Sequence, residues 1–164
     1  MAFVCSIFRS YLLSVFTGLL INFHLGLSPY YRGSGTNFRP FVNNELQFIG
    51  STFMHINEGI DTGAIIHQIR ARIYHGDNIH QIGNRLIKDA FQECIRIIQY
   101  FSQLQPVRQP NLLTGQERYY RKKDFTEDKL EKAYEHLANG AIAQYLALIE
   151  RIDATFPLVE NPGL

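Results

Sequence analysis

The chain has 164 residues, a length that fits one domain. Hydrophobic residues make up 46% and charged ones 19%, which excludes a disordered chain, and 16 Lys plus Arg against 15 Asp plus Glu exclude the strongly basic face of a dedicated nucleic-acid binder. Two cysteines, Cys5 and Cys94, can build neither a disulfide scaffold nor a Cys-rich zinc module, and they suit a reducing cytoplasm.

Residues 1–23 are apolar, with Arg9 as the only charge. From Ser10 to Phe23 the uncharged run is 14 residues, short of the roughly 18–20 that cross a bilayer. A secretory signal places its positive charge before the apolar run, whereas Arg9 interrupts it. The expectation is a buried helix at residues 11–16, a buried strand at 19–23, no membrane partner and a cytoplasmic setting. Residues 26–35 read as a loop punctuated by Gly26, Pro29, Gly33, Ser34 and Gly35. A short helix is expected over 36–43.

Two strands follow, at 47–56 and 64–73, rich in β-branched and aromatic residues and separated by a turn at Asn57-Glu58-Gly59. Asp77 is the expected N-cap of an amphipathic helix over about 78–103. Its stripe is Ile79, Ile82, Leu86, Ala90, Cys94, Ile97 and Phe101. Residues 105–115 form a Pro-containing connector. Thr126 is expected to cap a further helix, with Phe125 and Leu130 as a hydrophobic staple and Gly140 as its end. A last helix is expected over 141–152.

Two segments could do chemistry. A strand ending in Asn22-Phe23-His24 sends both polar side chains to one face, because strand side chains alternate. In open α/β sheets, ligands bind beyond the carboxyl ends of strands. An amide donor beside an imidazole suits oxyanion stabilisation and proton transfer, although the pair also fits a capping amide beside a structural histidine. The second segment, residues 57–63, holds Asp61 between Gly59 and Gly63. Its carboxylate could enter the same cleft or only cap its own turn.

Taken together, Asn22-Phe23-His24, Pro29, Arg32-Gly33 and Asp61-Thr62-Gly63 resemble the formyltransferase family that uses 10-formyltetrahydrofolate. The resemblance covers about residues 4–104, with His24 and Asp61 37 residues apart. It implies an α/β fold: the C-terminal half of a Rossmann-like formyltransferase sheet with flanking helices, plus a short helical tail. Residues 1–104 would be the catalytic part and 105–164 the helical extension. It implies Asn22, His24 and Asp61 as the catalytic trio. Ser6, Ile7, Phe8, Gly59 and Ile60 would face the folate, and Pro29, Arg32, Gly33, Ser34 and Gly35 the acceptor. The implied formyl donor is 10-formyltetrahydrofolate, and no metal is implied. His55, His67, His75 and His80 lack a recognised ligand spacing.

The sequence departs from the family pattern in four places. Gly26-Leu27-Ser28 stands before Pro29 where Ser-Leu-Leu is common. Met54 occupies the position seven before Asp61 where many members carry a histidine, with His55 next to it. Asn37-Phe38-Arg39 replaces the usual Phe-Trp or Gln-Trp, which puts Arg39 on an otherwise buried helix face, costly unless paired. The family's opening βαβ units have no counterpart, so the expectation is an N-terminally truncated member with an unpaired sheet edge.

The Arg32-Gly33 and Asp61-Thr62-Gly63 variants look more like the branches that formylate methionyl-tRNA or amino sugars than like the purine branch. Residues 119–125, Tyr-Tyr-Arg-Lys-Lys-Asp-Phe, mix aromatic and basic side chains able to meet a phosphate or stack on a base. Residues 118–132 are close to neutral, so a long nucleic-acid footprint is not expected. The expected partner is a small amine, such as a nucleotide-linked amino sugar. The alternatives are methionyl-tRNA, glycinamide ribonucleotide, or an inactive fragment serving as an interaction module.

Overall fold

The computed structural model describes residues 2–3, 10–15, 18, 20–110, 116–162 and 164. Its main sheet has four strands in the order β1-β2-β4-β5. β1 (Ala2–Phe3) runs parallel to β2 (Ile21–His24). β2 pairs antiparallel with β4 (Gly50–His55), and β4 antiparallel with β5 (Ile65–Arg70). Residues Gly50 to Met54 are all buried, because both faces of β4 are covered and the pattern is a continuous run instead of an alternation.

Helix α3 (Ile79–Gln99) joins two adjoining clusters of the core along one buried stripe. Ile82 and Leu86 pack with Phe41, Ile49 and Ile73, whereas Ala90, Cys94 and Ile97 pack with Phe23, Phe53 and Ile66. Each fully buried Ile or Leu contributes about 1.5–3 kcal/mol. The cap lies one residue beyond the expected Asp77. Asn78 Oδ1 accepts Gln81 N at 2.9 Å, and Gln81 Oε1 accepts Asn78 N at 2.9 Å. Asp77 instead accepts Tyr74 N and a bidentate pair from Arg85, which hold its carboxyl below the usual range. Only Asn78 has a glutamine three residues on, and that reciprocal bond decides the boundary.

The segment expected as a plain loop over 26–35 contains a strand, β3 (Tyr31–Gly33). It pairs in parallel with β6 (Arg118–Tyr120), where the tail was expected to be helical. A three-residue strand with a partner so far along the chain has no periodicity to read. Helix α2 is confined to Arg39–Val42, because Phe38 N and Arg39 N both donate to Gly35 O in a turn. Helix α1 (Ser10–Val15) and β2 lie near their expected positions, but Tyr11 and Val15 on α1 are exposed where a buried helix was expected.

Beyond the connector come α4 (Glu127–Ala138), α5 (Ala141–Ala147) and α6 (Ile149–Thr155), the last two split at Leu148 where one helix was expected. Thr126 makes no side-chain cap: its hydroxyl donates to Asp128. Phe125 meets Phe38 in a tilted contact, with centroids 5.0 Å apart, and stays half exposed, as does Leu130.

The tail folds back on the sheet. Val107 bridges to Ile65, α4 packs on α2, and Val159 O accepts Gln68 N at 2.9 Å along the outer edge of β5. No described helix is long and apolar enough to cross a membrane.

Candidate functional site

β2 delivers Phe23 to the core, where it stacks on Phe53 at 5.1 Å, and leaves Asn22 and His24 for the opposite face. His24 is held on two sides. Its Nε2 lies 2.9 Å from Tyr31 O, and because a carbonyl only accepts, Nε2 carries the hydrogen and donates. Its Nδ1 then faces Asp61 Oδ1 at 3.5 Å, placed to pass a proton to or from the carboxylate side. Gly26 makes room for the ring: a Cβ there would lie 2.6 Å from His24 Nε2.

The acid comes from the turn between β4 and β5. Asn57 Oδ1 accepts Gly59 N at 3.1 Å and the Thr62 hydroxyl at 2.8 Å, which closes the loop on itself. Asp61 sits in the left-handed region at φ 52°, which aspartate tolerates better than most residues. Gly63 passes so close to β4 that a Cβ would meet His55 O at 1.7 Å. Asp61 Oδ1 accepts Asn22 Nδ2 at 2.8 Å and Oδ2 accepts Gly33 N at 2.9 Å. The carboxylate thus joins three segments that the sequence keeps apart, and the second amide hydrogen of Asn22 has no partner among the described residues.

These groups line a cleft of about 610 Å³. Ile56, Gly59 and Ile60 form one wall, and Gly33, Ser34, Gly35 and residues 119–122 the other. Of the residues expected from sequence, Asn22, His24, Asp61, Gly59, Ile60, Gly33, Ser34 and Gly35 meet in this cleft. Pro29 is buried behind it, and Arg32 turns away to Glu117 at 2.7 Å. Ser6, Ile7 and Phe8 lie outside the described residues.

The wall from β6 is fixed by a polar network that sequence reasoning missed. The Tyr31 hydroxyl donates to Glu45, and Arg118 Nε donates to the same carboxylate at 2.8 Å. Asn43 Nδ2 donates to the hydroxyls of Tyr31 and Tyr120 at 2.8 and 2.7 Å. Burial and the Glu45 bond push the Tyr31 phenol well above its ordinary range, so it remains a donor. No local spacing marks these contacts. A larger groove of about 800 Å³ between the end of β5 and α5–α6 holds none of the proposed chemistry, and its Arg70 is already paired with Asp153.

A family model described as formyl transferase matches residues 1–98. The chain is 30% identical over 88 residues to phosphoribosylglycinamide formyltransferase of Haemophilus influenzae, covering 54% of this chain and 41% of that protein. It is 30% identical over 89 residues to methionyl-tRNA formyltransferase of Caldicellulosiruptor saccharolyticus, covering 54% and 28%. An N-formyltransferase from Helicobacter canadensis, solved with folinic acid and dTDP-3-aminofucose, superposes with a TM-score of 0.57 at 28% identity, covering 65% of this chain and 39% of that one. The chain therefore spans well under half the length of these relatives.

Proposed function

The chain belongs to the formyl transferase family, and we propose that its cleft transfers a formyl group from 10-formyltetrahydrofolate to the amine of a small, nucleotide-linked acceptor such as an amino sugar. The observation that carries this reading is the convergence of Asn22, His24 and Asp61, bonded through one carboxylate at the cleft floor.

In this reading the acceptor amine attacks the formyl carbon, and the carbonyl oxygen becomes an oxyanion. The free amide hydrogen of Asn22 donates to it, an interaction type whose loss costs about 2.7–4 kcal/mol at the transition state. The amine proton passes to His24 Nδ1, where Asp61 Oδ1 lies 3.5 Å away to hold it. Collapse of the oxyanion breaks the bond from the formyl carbon to N10. That nitrogen takes up the proton and leaves as tetrahydrofolate, and the acceptor keeps the formyl group as an amide. Ile56, Gly59 and Ile60 suit the flat ring system of the donor, while Tyr119, Tyr120, Arg121 and Lys122 offer aromatic faces and two cations to a phosphorylated acceptor.

The test is a transfer assay with 10-formyltetrahydrofolate and a panel of amines: nucleotide-linked amino sugars, glycinamide ribonucleotide and methionyl-tRNA. Turnover with an amino-sugar nucleotide, lost in His24→Ala, supports the reading. A cooperatively folded chain that neither binds 5-formyltetrahydrofolate nor consumes the donor overturns it.

A further inference from the structure

Gln109 lies in the connector after α3, beyond the residues matched by the family model. The connector is anchored two residues earlier, where Val107 exchanges hydrogen bonds of 2.8 and 2.7 Å with Ile65 at the start of β5. From there the half-buried Gln109 reaches the acid loop. Its Nε2 donates to Asp61 O at 2.9 Å and to Gly63 O at 2.8 Å, so both amide hydrogens are engaged. Met54 Sδ backs the amide at 3.8 Å.

The two carbonyls stand on either side of Thr62, just after the left-handed Asp61 backbone. The carboxylate end of Asp61 is gripped by Asn22 and Gly33, and its main-chain end by Gln109. Gln109 is not among the residues lining the cleft.

We infer that Gln109 is a positioning residue, acting through Asp61: its side-chain amide clamps the acid loop so that the carboxylate stays on Asn22, Gly33 and His24. The functional consequence rests on the formyl-transfer reading above, but the clamp has a readout that does not. The Gly33 N–H donates to Asp61 Oδ2, so the exchange protection of that one amide reports where the carboxylate is.

The experiment compares amide hydrogen exchange by NMR in the full wild-type chain, Gln109→Met, which keeps length and apolar bulk without a donor, and Gln109→Glu, which places a carboxylate against two carbonyls. Gly33 protection is expected to fall roughly 5–10-fold in Gln109→Met, the scale of one lost hydrogen bond, and further in Gln109→Glu. The core amides of Ile66 and Ile97 are expected to keep their protection. Unchanged Gly33 protection in both variants overturns the clamp. So does a uniform loss at Gly33, Ile66 and Ile97, which is the mark of a merely structural contact. In the transfer assay, kcat is expected to fall with the KM for donor little changed. Absence of wild-type turnover would instead remove the functional reading while the Gly33 amide still decides the role of Gln109.

Discussion

Asp61 Oδ2 accepts the backbone N–H of Gly33 at 2.9 Å, while its other oxygen accepts the Asn22 amide at 2.8 Å. One carboxylate thus sets the distance between the strand end that carries the polar pair and the loop that forms the opposite cleft wall. An asparagine at this position has one acceptor oxygen and turns an NH2 group toward one of two donors. Asp61→Asn is therefore expected to lose about 1–3 kcal/mol of stability and about 100-fold or more in formyl-transfer kcat. Urea unfolding and steady-state kinetics on the same preparation check both. A variant with full activity excludes Asp61 from the proposed chemistry.

Gly26 packs against the face of the histidine, with a Cβ position 2.6 Å from His24 Nε2 and 2.8 Å from Thr36 Cβ. Gly26→Ala must push the ring off its bond to Tyr31 O or spread the loop. A destabilisation of about 1–3 kcal/mol is expected, together with a fall in kcat. Gly76→Ala is the control for a chain-wide defect. Gly76 has a positive φ, which Gly26 lacks, and open space around it, so the substitution should cost stability without a selective loss of kcat.

Arg39 is 2% exposed, and its Nε and Nη2 are buried with no hydrogen-bond partner among the described residues. Its guanidinium stacks over Tyr120 at 4.6 Å and lies 5.7 Å from Phe125, and it makes no ion pair among the described residues. The aromatic faces offset only about 2 kcal/mol of the desolvation. Arg39→Trp and Arg39→Leu are expected to raise stability, by about 1–3 kcal/mol in thermal or urea unfolding. A drop in both variants would show that the cation is matched by contacts beyond these rings.

How much of this was legible follows from the range of each interaction. Ile21–His24 and the α3 stripe announce themselves through local apolar spacing, and the turn at 57–63 through its glycines and Asn57. The placement of Asn22 and His24 on one face follows from strand alternation alone. The pairing of Tyr31–Gly33 with Arg118–Tyr120 does not, because three residues carry no period and Gly33 N–H is committed to Asp61 rather than to a sheet. Gln109 was equally hidden: a glutamine in a Pro-containing connector has no pattern, and its meaning comes from two carbonyls more than forty residues away. Arg39 was half legible. Its cost on a buried face could be read from sequence, but the rings that surround it could not.

His67 Nδ1 accepts Asn161 N at 3.1 Å, so the neutral ring carries its hydrogen on Nε2, which faces Glu93 Oε1 at 3.6 Å. Burial lowers its pKa below the ordinary 6.5. The carboxylates of Glu93 on α3 and Glu160 on the C-terminal segment oppose this, and Arg96 adds to it. His55 is lowered in the same direction by burial. A proton on His67 Nδ1 would set two donors against each other and release the segment that covers the edge of β5. The unfolded chain takes up these protons near pH 6.5 and the folded chain only at lower pH. Stability is therefore fully present above about pH 6.5 and falls as the pH drops below it, levelling once the folded residues also protonate. Asp77, held low by Arg85, adds its own loss only below the ordinary carboxylate value of 3.8. Urea midpoints measured from about pH 8 down to about pH 5 are expected to hold flat and then decline. His67→Gln, which keeps an acceptor but cannot titrate, should flatten part of that decline. A wild-type midpoint that rises on acidification, or a His67→Gln profile as steep as wild type, rules out this histidine as a source of the acid sensitivity.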